Sequence, residues 1–340
     1  MSKQRPAYSR RRFLQTAGAV GIAGVAGCTT STASSGSPTV ALLGPGSFQH
    51  ALTNGLEPAV DVPVQVETHG SATVARLIAD GQRDPDIVSV ADVALFEAPL
   101  SPPWHSVFAG NSVVLVYNPD SEGGQRVADA GPERWYEPLV DGAVNIGRTD
   151  PDQDPLGYRT RFTVELASRY YDGASNLADR ILRPDQLYPE TALLSQFETG
   201  AIDVAFAYRN MAIERGYDYV ELPDQINLSN PAYTADWYST MSYRLPSGQE
   251  IRGDLISYGA TIRHMSDAAI AVFDALTTGQ YLPEYGFLQR DQFPTYRGAV
   301  PDAVRQETTD SMRRQSPARQ SRLDSDRELS ATLSDITVLL

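Results

Sequence analysis

Three short stretches of this chain combine residue types that can bind an anion. Gly44-Pro45-Gly46-Ser47 and His69-Gly70-Ser71 each end an apolar run and open a segment with helical spacing. Serine is a favoured helix N-cap, because its oxygen accepts from a free amide of the first turn. Glycine lets another group approach the backbone closely. The free amides and the positive end of the helix dipole then form an anion site. Plain capping accounts for either junction alone; two of them after neighbouring strands favour a ligand. The third stretch runs Gly147-Arg148-Thr149-Asp150-Pro151-Asp152-Gln153-Asp154-Pro155-Leu156-Gly157-Tyr158-Arg159. Pro155 suits the first position of a helix, where a missing N–H would have no partner anyway. Asp154 is then the N-cap, worth about 1 kcal/mol in that role, and Leu156 and Gly157 add free amides. A capping aspartate alone would repel an anion. Arg148, Arg159 and Arg161 could attract one, or could pair with surface carboxylates.

The elements that must position these residues alternate apolar runs with helical segments, which predicts an α/β architecture. Strands are expected at Thr39–Leu43, Val62–Glu67, Asp86–Val90, Val113–Tyr117, Ala143–Gly147, Asp203–Ala207, Trp237–Leu245 and Ser257–Ile262. Helices are expected at Ser71–Ala79, Gly157–Tyr171, Thr191–Thr199 and Asp267–Thr277. Phe162, Leu166 and Tyr170 recur at i, i+4 and i+8, the spacing of a buried helical stripe.

The amino-terminal residues read as an address. Ser9-Arg10-Arg11-Arg12-Phe13-Leu14 fits a twin-arginine export signal, and the apolar run to Ala26 is too short for the ~20 residues a spanning helix needs. Val25-Ala26-Gly27-Cys28 follows as a lipobox. Cys28 is the only cysteine, which excludes an intramolecular disulfide and marks it for acylation. Residues 29–37, almost all Ser, Thr, Ala and Gly, give a flexible tether. About 300 residues remain, enough for two domains. From about Thr308 the chain turns polar, and residues 308–340 are expected to be a tail.

Net charge is −14; five positive charges and no acidic residue fall in residues 1–27, which leaves −19 on the rest. That balance excludes a nucleic-acid partner, whose phosphates require clustered Lys and Arg. Lys3 is the only lysine. In this the chain resembles the acidic, lysine-poor exported proteins of salt-loving archaea, whose self-repulsion is screened by molar salt.

The motifs together resemble the archaeal tungstate/molybdate-binding proteins of ABC importers, over roughly residues 39–300. The likeness is carried by Gly-Pro-Gly-Ser-Phe (44–48), His-Gly-Ser-Ala (69–72), Asp-Pro-Asp-Gln-Asp-Pro-Leu-Gly-Tyr-Arg (150–159), Phe-Glu-Thr-Gly-Ala-Ile-Asp (197–203), Glu-Leu-Pro-Asp-Gln-Ile-Asn-Leu (221–228) and Tyr-Gly-Ala-Thr-Ile (258–262). The resemblance implies a two-lobed periplasmic-binding-protein-like fold of type II. Lobe I would hold residues 38–117 and 235–307, and lobe II residues 118–234. It also implies a site in which Gly46, Ser47 and Ser71 contribute from lobe I. Asp154, Pro155, Leu156 and Glu221 would contribute from lobe II, with Tyr238 near the crossover. Asp154 and Glu221 would be the ligands of the metal atom of tungstate or molybdate, with no cofactor. The implied partners are an ABC permease and ATPase, with a lipid on Cys28 holding a monomer to the outer face of the membrane. The chain departs from the pattern at Gly44-Pro45-Gly46, at Leu156, where cysteine is frequent, and at Asn210, where serine is common.

Two alternatives stand beside this. A sulfate- or phosphate-type binder would rely on donors alone. A secreted hydrolase could use Asp154 and Glu221 as an acid/base pair. Against the hydrolase, His50, His69, His105 and His264 are scattered, and the sequence holds no His-Glu-x-x-His pattern, no Gly-x-Ser-x-Gly elbow and no Walker A loop.

Overall fold

The computed structural model describes residues 38–314; the twin-arginine segment, Cys28, the tether and residues 315–340 lie outside the described residues. The strands, in chain order, begin with β1 (Val40–Pro45), β2 (Val64–His69), β3 (Ile87–Val90), β4 (Trp104–Gly110), β5 (Val113–Tyr117) and β6 (Ile146–Thr149). They continue with β7 (Leu187–Tyr188), β8 (Val204–Tyr208), β9 (Tyr219–Glu221), β10 (Ser242–Arg244), β11 (Glu250–Arg252), β12 (Ser257–Ile262) and β13 (Thr295–Gly298).

They form two main sheets. One has the order β13-β4-β12-β3-β1-β2, the other β7-β6-β8-β5-β9, and β10-β11 is a separate hairpin. β1, β3, β5 and β8 are near-continuous apolar runs, as strands covered on both faces must be. β1 lies parallel to β2 and β3, and β6 parallel to β7 and β8. Helices therefore follow the carboxyl ends of several of these strands: Ser71–Ala79 after β2, Pro155–Tyr170 after β6, Glu190–Glu198 after β7 and Arg209–Ile213 after β8. Those ends are where ligands bind in open α/β sheets. The fold is the expected two-lobed α/β architecture, one sheet to each lobe.

The lobe boundaries differ from the sequence expectation. β5 pairs with β8 and β9, so Val113–Tyr117 belongs to lobe II, and the first crossing is Asn111-Ser112. The return comes at Ile256, whose amide donates to the Leu228 carbonyl at 2.9 Å just before β12. The expected strand Trp237–Leu245 is a strand only over Ser242–Arg244, after a 3-10 turn at Tyr238–Thr240. The tail also starts later than Thr308. Residues 302–314 are helical, with Val304, Thr308 and Ser311 buried, and the Thr308 hydroxyl lies 2.7 Å from that of Tyr296. Among the described residues no helix is long and apolar enough to cross a membrane.

Candidate functional site

On lobe I, β1 runs into a single 3-10 turn, Gly46–Phe48, with Ser47 buried. Its hydroxyl lies 2.9 Å from that of Tyr258 on β12. The Gly46 amide donates to Glu190 Oε2 of lobe II at 2.9 Å. A Cβ on Gly46 would stand 2.7 Å from that oxygen, so a side chain here would expel the carboxylate. The second junction is built alike: a Cβ on Gly70 would collide with the Gln153 carbonyl, beside Asp154. Ser71 is fully buried but does not cap its own helix, whose N-cap is Gly70. Its oxygen accepts instead from the Ala91 amide at 3.0 Å, past the end of β3. The Ser71 proton is thereby left to donate elsewhere.

On lobe II, Asp154 caps the helix Pro155–Tyr170 as expected, its Oδ1 accepting from the Leu156 amide at 3.0 Å. The side chain is 2% exposed, and Oδ2 has no hydrogen-bond partner. Glu190 is the second buried carboxylate, at the first position of its helix and 6% exposed. Its Oε2 takes the Gly46 amide, while Oε1 is unpartnered. Burial pushes Asp154 up to about 6, with the Thr149 hydroxyl, then the Leu156 amide and the charge of Arg159, offsetting part of the effect. Burial also pushes Glu190 well above the usual carboxylate range, and the neighbouring charge of Asp154 adds to it.

Arg159 supplies the compensating positive charge but spends its donors on protein. Nη1 donates to the Ala91 carbonyl at 2.7 Å and to the Tyr208 hydroxyl at 2.8 Å, and Nη2 lies 3.2 Å from Asp92. Tyr208 is fully buried, close enough to Asp154 and Glu190 for their charges to raise its pKa further. Because its oxygen accepts from Arg159, its proton points away from that bond.

Gly46 and Ser47 meet Glu190, which lies within charge range of Asp154, and Asp154 abuts Gly70 beside Ser71 and caps the helix of Pro155 and Leu156. Glu221 and Tyr238 do not join them. Glu221 sits exposed on edge strand β9, opposite Val114. Tyr238 is buried, but its hydroxyl donates to the Asp224 carbonyl and accepts from the Asn230 amide, so it braces the 224–230 loop. The buried polar side chains that stand near Ser47 and Asp154 are Glu190, Tyr208 and Tyr258. Sequence reasoning missed Glu190 because a glutamate in the first turn of a helix is ordinarily explained by the helix dipole. The available signal was Pro189-Glu190-Thr191, a second carboxylate at a helix start following a strand.

Asp154 and Glu190 also face outward onto a cavity of about 240 Å³ lined by His69, Gly70, Asp150, Gln153 and Tyr188. Among the described residues, no three His, Cys, Asp or Glu side chains gather as a site for a metal cation. Gly46 and Ser47 thus stand against Glu190, and Gly70 against Asp154, which sets amide and hydroxyl donors opposite two buried carboxylates.

Residues 47–244 match the family described as bacterial extracellular solute-binding protein. A protein of Haloferax volcanii, provisionally named an ABC transporter molybdenum-binding protein, is 51% identical over 86% of this chain and 96% of its own length. The molybdate/tungstate-binding protein WtpA of Thermococcus kodakarensis is 32% identical over 59% of this chain and 64% of its own. Among solved structures, the periplasmic molybdate-binding protein of Azotobacter vinelandii superimposes with a TM-score of 0.48 at 14% identity, covering 74% of this chain and 100% of that one. The family match over residues 47–244 and the 51% identity to the Haloferax protein show that the chain belongs to the extracellular solute-binding protein family.

Proposed function

We propose that this protein captures tungstate or molybdate for an ABC importer. The observation that carries the reading is the pair of buried, unpartnered oxygens, Asp154 Oδ2 and Glu190 Oε1, in a site whose other groups are donors. Leaving a buried acceptor unpaired costs about 1–3 kcal/mol, and more when it is charged. Such oxygens persist where a ligand uses them. Carboxylates repel sulfate, whose central atom has no open coordination. Molybdenum and tungsten are larger and accept further hard oxygen donors. Hydroxyls and amides would then hold the oxygens of the anion while Asp154 and Glu190 reach its metal atom. This moves the role first given to Glu221 onto Glu190. The names of the Haloferax and Thermococcus relatives support the same ligand class.

Calorimetry of the mature domain in molar salt against tungstate, molybdate, sulfate and phosphate tests this. Tight 1:1 binding of the first two alone is expected. A second reading has its own support, since the same free oxygens would accept a proton from a protonated oxyanion. Preference for phosphate would install that reading instead. Turnover of an ester or glycoside would restore the hydrolase.

The finer placement rests on residues outside the described part. Arg10 and Arg11 direct export, Cys28 carries the lipid, and the domain works as a monomer delivering to permease and ATPase subunits. Replacing Cys28 by serine should release the domain or stall processing; an unchanged anchored product would remove the lipobox.

A further inference from the structure

Behind Ser47 lies a hydrogen-bond circuit whose polarity can be read from its fixed end. Asn111, at the crossing between the lobes, is fully buried, and its Oδ1 accepts from the backbone amides of Ser112 at 3.0 Å and Asn210 at 3.4 Å. Backbone amides only donate, so the Asn111 oxygen faces them and its Nδ2 faces the other way. Nδ2 donates to Asn210 Oδ1 at 2.8 Å and lies 3.4 Å from the Tyr258 hydroxyl. Asn210, its oxygen thus occupied, donates from Nδ2 to the Ser47 carbonyl at 2.7 Å, across the lobes. Tyr258 is fully buried, receives a donor from Asn111, and has the Ser47 oxygen at 2.9 Å as the acceptor for its proton. The Ser47 oxygen is then an acceptor behind, and its own proton is directed forward, where the Glu190 carboxylate is its acceptor until an oxyanion takes that place.

We propose that Asn111, Asn210 and Tyr258 are positioning residues that fix Ser47 as a hydrogen-bond donor to the bound oxyanion, and so require an unprotonated oxygen at that point. None of the three has to touch the ligand. Asn210 and Asn111 join both lobes to Ser47, so the polarity is set as the cleft closes. The inference rests on the oxyanion reading above but not on the identity of the anion's central atom.

The test is a double-mutant cycle between Ser47→Ala and Tyr258→Phe, titrated with tungstate and with sulfate. Phenylalanine keeps the edge-to-face packing of residue 258 on Phe48, Phe287 and Tyr208 and removes only the hydroxyl. Ser47→Ala should weaken binding about tenfold or more, the loss of one hydrogen bond to a charged ligand. Tyr258→Phe alone should weaken it by about three- to tenfold. In the Ser47→Ala background Tyr258→Phe should cost nothing, because it acts only through the serine. Additive losses, or a Tyr258→Phe protein that binds like the parent, would overturn the proposal. If the parent prefers sulfate, the metal-ligand reading fails while the cycle still decides the circuit. If the parent binds neither anion, both fall.

Discussion

The two walls of the cleft are built on opposite principles. Lobe I presents donors whose other bonding needs are met: the Ser71 oxygen is taken by the Ala91 amide, and the Ser47 oxygen by Tyr258. Lobe II presents acceptors that are not fully met, Asp154 Oδ2 and Glu190 Oε1, both buried, while the nearby cation Arg159 spends its donors on Ala91 and Tyr208. A wall of satisfied donors holds any oxyanion of the right size. A wall of unsatisfied carboxylates rejects most of them and rewards the few whose centre accepts oxygen. On the proposed function, affinity and selectivity fall to different lobes, the separation that discriminating binders often use.

That division can be broken by mutation. Glu190→Gln and Asp154→Asn keep shape but lose charge and ligand strength. Each should weaken tungstate by about a hundredfold, on the scale of removing one member of a buried charged contact, and leave sulfate unchanged or improved. Ser71→Ala should instead cost every oxyanion about tenfold. Glu221→Gln, on the exposed strand edge, is the control and should change neither. The readout is the ratio of tungstate to sulfate affinity. A ratio that moves with Glu221 and not with Glu190 would return the role to the exposed residue.

Acidification sharpens the same contrast more gently. Both carboxylates are raised, Asp154 to about 6, so protons compete with the metal atom in the range where ordinary surface carboxylates stay ionised. Tungstate affinity should fall by about tenfold or more from pH 8 to pH 5, at up to tenfold per unit for each proton taken up. Sulfate, held by donors alone, should bind no worse. Parallel pH profiles for the two anions would count against a split between the lobes.

The remaining effect is on stability without ligand. A carboxylate whose pKa is raised by folding stabilises the native state fully below its unfolded value near 4, and loses that contribution as pH rises through about 6. Asp154→Asn removes the penalty and keeps a good N-cap. At pH 8 it should raise stability by on the order of 2–3 kcal/mol, seen as a higher melting temperature by several degrees. A lower one would mean that Asp154 holds the fold together and is no strained ligand.

What could be read beforehand divides along similar lines. Ser71–Ala79, Val113–Tyr117 and Ser257–Ile262 have the expected bounds, because each is a continuous local pattern with a glycine, asparagine or serine at its edge. The lobe I junctions and Asp154 were legible because glycine-serine and aspartate-proline at a strand-to-helix turn have a local meaning. Strands β4, β7, β9, β11 and β13 were not, being either short or mixed in polarity, and they are defined by the neighbours they pair with. Glu190 was invisible for the same reason: its burial comes from the approach of Gly46, 144 residues away. The Glu221–Leu228 stretch misled because its distinctive spacing serves the crossing. Asn227 Nδ2 holds the Leu222 carbonyl, its own carbonyl takes the Val113 amide, and Leu228 adopts a positive φ to meet Ile256.

The bond from the Gly46 amide to Glu190 has one more consequence. It is made by the backbone of one lobe to a side chain of the other, so it forms only when the two halves come together. Coming together also strips water from Glu190 and Asp154. On the proposed function, closing on nothing buries two carboxylates whose charged forms burial disfavours, whereas closing on a ligand that uses their oxygens offsets that cost. The outline of the molecule would then be a faithful signal of its cargo. Whatever docks on the closed form need not inspect the contents, since an unloaded copy is held back from imitating a loaded one.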